Sequence, residues 1–530
     1  MAIAIAAALA AMSHAAVAQT TGPSTSAAPY MQGIAAGVNF TSILTTGDTV
    51  AGYQMAGIPD GLGAYDNGNG TFTVLMNHEL GSADGIIRAH GGKGAFVSEW
   101  IVNKANLSVV SGGDLIKNVY GWNSTTQASN TVASAATSFN RFCSADLAPS
   151  SAFYNPITGL GTQSRLFLSG EEGGTNGYAI ATVATGLAKG NTYVLGKMNQ
   201  ATNGSGIAAT GGWENLLANP IAQNKTVVIG SNDGGTGMMA NSLAVYVGTK
   251  LATGSDIDKA GLTNGVTKFI NVAGITSEIN NATTRTTGIA DGTRFSLSAT
   301  TSTAFSRPED GAWSADGSKF YFVTTDQIDK TNLAGGTQKG GSRLWELSFD
   351  DISNPDGGGS IKKLVDSSTL PGGLGIAKLN MGDNIGVGKD GVVYIQEDVG
   401  NNEHNDKIWA YNPKDGSMTL VAKFDPALFG DVSISGTFTA GTHTKDEESS
   451  GIIDITDILG RNDGKQYSLL VAQDHASATS LGLSNPAALV QGGQMLVMST
   501  TPVPEPETYA MMLAGLGMLG GIARRRRNRK

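Results

Sequence analysis

Short apolar runs with a two-residue alternation recur along the chain, and most of them start at a glycine turn. "YDNGNGTFTVLMN" from Tyr65, "SADGSKFYFVTT" from Ser314, "GKDGVVYIQED" from Gly388, "NPKDGSMTLVAKF" from Asn412 and "RNDGKQYSLLVAQD" from Arg461 each set an Asp-Gly or Asn-Gly turn before a β-branched or aromatic segment. "RLFLSGEE" from Arg165, "KTVVIGSND" from Lys225, "RLWELSF" from Arg343 and "KIWAYNP" from Lys407 read as further strands. Outside the two termini, no segment keeps a helical period over three turns. The pattern predicts an all-β chain, and its irregular repetition of strand, tight turn and strand is what the blades of a β-propeller produce. The repeats are too degenerate to count blades, and a β-sandwich array would share the turns. Residues 120–140 and 250–305 are rich in Ser, Thr, Asn and Ala and read as long surface loop insertions of low order.

Composition agrees with a turn-rich β protein. Glycine supplies 73 of 530 residues, about twice its usual share of ~7%. The N-terminus, "MAIAIAAALAAMSHAAVAQ", closes in Ala16-Val17-Ala18, a signal-peptidase site that predicts a signal peptide over residues 1–18. The C-terminus carries Pro-Glu-Pro, then Tyr509 to Ala523 without a charge, then Arg524 to Arg527, Arg529 and Lys530. In these three parts and in its terminal position, residues 501–530 resemble the PEP-CTERM sorting tail of Gram-negative bacteria. Such a tail implies transient membrane insertion, with the basic cluster on the cytoplasmic side. It also implies export to the periplasm, outer surface or extracellular matrix, with exopolysaccharide or matrix association. Residues 19–500 are then the folded body, expected as a monomer. The formal charge is −9; 35 basic residues less the six of the tail leave 29 against 44 acidic ones. A body so acidic excludes nucleic acid as a partner. Cys143 is the single cysteine, so no intrachain disulfide forms even where export would permit one.

The acids carry the candidate chemistry. Glu171-Glu172, Asp233, Glu309-Asp310 and Glu397-Asp398 stand at strand edges tens of residues apart, as if each blade sent an acid toward one centre. Converging carboxylates repel each other and raise their own pKa values, so they need cations. Hard oxygen donors suit Ca²⁺, and a thiolate among them suits iron. His78, His90, His404, His443 and His475 are isolated, lack zinc spacing and read as hydrogen-bonded loop residues. No G-x-S-x-G nucleophile elbow is present.

"VLMNHELG" from Val74, "FCSADLAP" from Phe142, "RLFLSGEEGG", "WENLLANPIAQNKTVVIGSNDGG" from Trp213, "RPEDGAW" from Arg307, "GDNIGVGKDGVVYIQED" from Gly382 and "KDEESSGIIDITDILG" from Lys445 resemble, in order, the blocks of the PhoX-type alkaline phosphatases. The resemblance implies a six-bladed propeller whose central channel holds Ca²⁺ and Fe³⁺ and cleaves phosphate monoesters. It implies Cys143 as thiolate ligand to iron, with Glu171 or Glu172, Glu214 and Glu309 as carboxylate ligands, and Arg307 as the phosphate clamp. Asp233, Asp310, Asp383, Asn384, Glu397, Asp398 and Glu448 are the implied calcium or supporting residues. Two blocks depart from the family: Trp213 stands where a histidine is usual, and "GSNDGG" lacks a second acid and a basic residue. Three functions follow: a metal-dependent phosphomonoesterase, a non-catalytic calcium-stabilised propeller binding glycans or partners in the matrix, and a phytase or lactonase using calcium alone. Cys143 separates the first from the third, because calcium has no use for a thiolate.

Overall fold

The alternating segments fold as antiparallel strands, as their period requires. The computed structural model describes residues 19–173, 177–196, 212–233, 238–326, 341–369, 379–398, 400–433 and 437–501. The expected signal peptide, and the sorting tail from residue 502 on, lie outside these residues.

Among the described residues, five large sheets build the body. The first runs in sequence order through Pro59–Asp66, Thr71–His78, Phe96–Asn103 and Val109–Asp114. The second runs through Phe142–Asp146, Leu166–Glu171, Ala179–Val183 and Asn191–Val194, with Asn118–Tyr120 added in parallel at its far edge. A nine-stranded sheet comprises one run led by Leu217–Ala218 and another led by Pro308–Trp313, joined through Thr293–Ser298. The fourth is led by Gly382–Val387 and closed at its edge by Met31–Gly33. The last is led by Glu447–Asp454, and its strand Gln491–Thr500 pairs with Val38–Thr45 from the other end of the chain. The leading strands touch one another in turn and the last meets the first, so they enclose an axis. This closed cycle is the arrangement a propeller calls for.

Turn chemistry fixes the registers. In the turn ahead of Lys319–Thr324, Gly317 takes φ +63°, its N–H donates to the Ser314 carbonyl (2.8 Å), and Asp316 Oδ1 accepts from Ser318 N–H (3.1 Å). Apolar alternates fill the gaps between neighbouring sheets. Leu62, Phe72 and Trp100 of the first sheet pack against Leu469 and Val497 of the last, all nearly inaccessible. Each such side chain contributes about 1.5–3 kcal/mol by leaving water.

The low-order expectation for residues 120–140 and 250–305 is corrected here. Val266–Val272 and Thr293–Ser298 are internal strands of the nine-stranded sheet, and Trp122–Asn123 pairs with Ala128–Ser129. Phe269, Ile270, Val272 and Phe295 are buried. Their polar composition hid the strands: Asn271, Thr293, Ser296 and Ser298 stand at the less buried positions, while Thr267 is itself buried. Helices among the described residues are single turns, and none is long and apolar enough to cross a membrane.

Candidate metal centre

The leading strands share one device. In five of them the ladder slips a register step: between Ser450 and Ile452 in the last, and near the start of the strand in the other four, between Pro59 and Leu62, Phe142 and Ala145, Pro308 and Gly311, and Gly382 and Ile385; these four share a further feature. The first residue inside each of the four steps is Asp60, Cys143, Glu309 or Asp383. A bulge bends the strand and re-aims a side chain out of the alternation. Two positions earlier the backbone is left-handed each time: Ile58 (φ +50°), Arg141 (+44°), Arg307 (+53°) and Met381 (+48°). Gly212 (φ +97°) stands in the same relation to Glu214. Non-glycine residues held there cost about 1–3 kcal/mol each, a strain that clusters at functional sites.

A second tier comes from the ends of the next strands. Glu79 follows Thr71–His78, Glu172 follows Leu166–Glu171, Asp233 follows Lys225–Ser231, Thr325 follows Lys319–Thr324, and Asp398 follows Val393–Glu397. With Glu448 of the last leading strand, and with Arg141, Arg307 and Met381, these residues line one cavity of about 70 Å³. That is room for several water-sized guests.

Nine carboxyl groups line this space against two guanidiniums. Arg141 donates Nε–H to Glu79 Oε1 (2.7 Å), and its NH2 reaches Glu79 (2.6 Å) and Glu172 (2.5 Å). Arg307 meets Asp233 through Nε (2.9 Å) and NH2 (3.2 Å), and its NH2 lies 3.0 Å from Glu309. Glu448 has His475 Nε2 at 3.7 Å, and Asp60, Glu214, Asp383 and Asp398 have no ion-pair partner among the described residues. Burial, reinforced by neighbouring acids, pushes Asp60, Glu214, Glu309 and Asp383 well above the carboxylate range. Glu172 and Glu448 rise to about 7 for the same reason. The Cys143 thiol is pushed up by burial and then by Glu214 and Glu79, and Sγ lies 3.6 Å from Glu172 Oε2.

Among the described residues three groups of donors converge: Asp60, Glu79 and Cys143; Glu214, Glu309 and Asp383; Asp383, Asp398 and Glu448, each with one ligand atom per residue within 4.8 Å of the others. Asp60 Oδ1 is buried without a hydrogen-bond partner among the described residues. Unpaired buried carboxylates are costly, so this donor set fits bound cations. Oxygen atoms predominate, with a single sulfur in the first group.

Strand alternation sorts the sequence candidates. Cys143, Glu172, Glu214, Asp233, Arg307, Glu309, Asp383, Asp398 and Glu448 come together in the cavity. Four others face elsewhere, each the neighbour of a cavity residue. Glu171 accepts from the Asn140 (2.9 Å) and Tyr178 (3.3 Å) amides. Asp310 accepts from Asn215 Nδ2 (2.7 Å) and, with Gly61 and Ser144, lines a separate cavity of about 400 Å³. Asn384 donates to Ser144 Oγ. Glu397 accepts from Trp409 Nε1 (2.8 Å) and the Asn380 amide (2.8 Å), and lies 3.0 Å from His404 Nε2. Trp213, before Glu214, is buried with its ring against Gly230.

Asp60, Glu79 and Arg141 carry no sequence signal of their own, and His475, expected as an isolated loop residue, lies instead in the strand Gln466–Ser477 beside the cavity. The His475 Nε2 lies 3.7 Å from Glu448 Oε2, and although burial alone would lower its pKa, Glu448 holds it up at about 10. Asp60 and Glu79 stand alone in Pro-Asp-Gly and His-Glu-Leu, without the doubled acids that drew attention elsewhere.

As a whole fold, the chain is similar to a solved structure of PhoX from Pseudomonas fluorescens in complex with vanadate, a transition state analogue. The TM-score is 0.54 at 11% identity, covering 91% of this chain and 97% of that one. The fold is PhoX-like. A Trichoderma reesei carbohydrate-active enzyme of family AA12, in a calcium structure, matches at TM-score 0.36 and 10% identity over 91% of this chain and 100% of that one. Trypanosoma rangeli sialidase in complex with sialic acid matches at 0.33 and 12% over 93% and 61%. Both likenesses are looser and add nothing to the reading of the site. Residues 502–527 match the PEP-CTERM protein-sorting motif, which marks a surface-sorted protein of Gram-negative bacteria processed by an exosortase. No curated protein sequence matches the chain.

Proposed function

We propose that the chain is an exported phosphomonoesterase, a six-bladed propeller whose carboxyl-lined cavity is the catalytic centre and takes calcium and iron. The placement of Arg307 carries this reading. It stands two residues before buried Glu309, and its guanidinium reaches the same cavity as Cys143. A planar guanidinium clamps a phosphate at two points, as an ammonium cannot. Asp233 fixes the Nε side of the group, and the NH2 now shared between Asp233 and Glu309 is the edge offered to a phosphate oxygen.

The remaining residues divide by donor chemistry. Cys143, with Asp60 and Glu79, forms the group suited to iron, because the thiolate is the soft donor. Asp383, Asp398, Glu448, Glu214 and Glu309 offer oxygen only and suit calcium. Bound cations would reverse the sign of an acidic cavity that otherwise repels a phosphate dianion, and would polarise the phosphoryl oxygens. The solved PhoX holds vanadate as a transition state analogue, which accords with phosphoryl chemistry on this fold.

A second reading, a non-catalytic calcium-stabilised matrix propeller, is favoured by the sorting motif and by the burial of Trp213 at the altered block. Hydrolysis of p-nitrophenyl phosphate by the metal-loaded protein, with inhibition by vanadate, separates the two. Calcium-dependent stability without any turnover supports the second.

A further inference from the structure

The seam between the last two leading sheets holds another buried pair of carboxyls. Asp406 precedes the strand Lys407–Asn412, and Glu447 opens Glu447–Asp454. Both side chains are fully buried, and neither lines the central cavity. Alternation explains the separation: Glu448 faces the cavity, so Glu447 faces away from it.

The pair is short of positive charge and of donors. The Asp406 amide donates to Glu447 Oε1 at 3.3 Å, which fixes the two side by side. Both carboxylate oxygens of Asp406 and Oε2 of Glu447 have no hydrogen-bond partner among the described residues, and neither does Oδ1 of the adjoining Asn405. Every one of these orphans is an acceptor. Lys407 is the neighbouring cation, but its Nζ is turned to the Asn405 carbonyl (2.6 Å) and His404 Nε2 (3.3 Å). Burial and then Glu447 push the Asp406 carboxyl well above its usual range. Native proteins seldom leave buried acceptors unmet, and two adjacent buried carboxylates with three of four oxygens unmet are a costly case.

We infer that Asp406 and Glu447 hold a hard divalent cation of the calcium class, separate from the central centre, which ties the two sheets together. Oxygen-only donors select such an ion over a soft or transition metal. The site stands whether or not the central cavity is catalytic.

Crystals of the full-length protein grown with CaCl₂ and measured at long wavelength should show an anomalous peak bridging Asp406 and Glu447, apart from any in the central cavity. An empty map at that seam overturns the inference. In solution, Asp406→Asn should retain iron and phosphatase turnover but lose one equivalent of tightly bound calcium by elemental analysis, with a lower Tm. Asp383→Asn should instead lose calcium from the cavity and keep the seam ion, so failure of one site is told from failure of the other. An Asp406→Asn protein with the full wild-type calcium content would mean that the two carboxyls share a proton, and would end the proposal. Should that variant not fold, the anomalous map of the wild type decides.

Discussion

Arg307 and Asp233 meet as a two-point ion pair, Nε to Oδ1 at 2.9 Å and NH2 to Oδ2 at 3.2 Å, across two strand runs of the nine-stranded sheet. Arg307 sits in left-handed backbone, so its direction is set by the chain and its rotation by Asp233. If this arginine clamps phosphate, Arg307→Lys keeps the charge but loses one of two contacts. A hydrogen bond to a charged group contributes roughly 1.5–3 kcal/mol, so kcat/KM should fall about 10–150-fold. Steady-state kinetics with circular dichroism as a folding control checks this; an unchanged kcat/KM removes Arg307 from substrate binding.

Removal of cations should destabilise the body. An ion that binds only the folded state contributes about 2.7 kcal/mol at a hundred times its Kd. Excess EGTA should therefore lower Tm by several degrees, and added calcium should restore it. An identical melting curve with and without chelator contradicts the reading of the carboxyl cluster.

The metal-free protein should show an inverted pH response. Glu172 and Glu448 titrate near 7 when folded because of burial and neighbouring acids, against about 4.5 in a free chain. A raised folded pKa gives stability that is present below the unfolded value and lost as pH rises through the folded one. Tm of the chelated protein should thus fall between about pH 4.5 and 7.5, and calcium should flatten that slope. Melting curves across this range, with and without metal, test it; a chelated Tm that rises with pH contradicts it.

The sorting motif at residues 502–527 predicts processing in the native host. Intact mass of the mature protein should lack Tyr509 to Lys530. Recovery of the basic terminus on the surface-localised protein contradicts it.

Much of the fold was legible because tight turns and two-residue alternation are local signals, as in the turn at Gly317 and the strand after it. The strands at 266–272 and 293–298 were not, since their Thr, Ser and Asn content resembles loop and the burial of Phe269 and Phe295 depends on distant sheets. At the site, doubled acids were easy to find, but which member faces inward is set by strand phase. Glu309 enters the cavity and Asp310 leaves it; Asp398 enters and Glu397 leaves. Asp60 and Cys143 occupy the same structural position at a bulge while sharing no flanking residue type, Pro-Asp-Gly against Phe-Cys-Ser. That equivalence exists only in the cycle of leading strands.

Cys143 joins the proposed iron to the proposed chemistry, so the most direct measurement is metal content with p-nitrophenyl phosphate turnover for the wild type and Cys143→Ser side by side. The wild type should hold iron and calcium and hydrolyse the ester. The mutant should keep its circular dichroism spectrum and lose both iron and turnover, because a serine hydroxyl stays protonated and is a poor donor to iron. A mutant with full iron and full activity, or a wild type loaded with both metals and without turnover, would contradict a phosphatase centre built around Cys143 and Arg307.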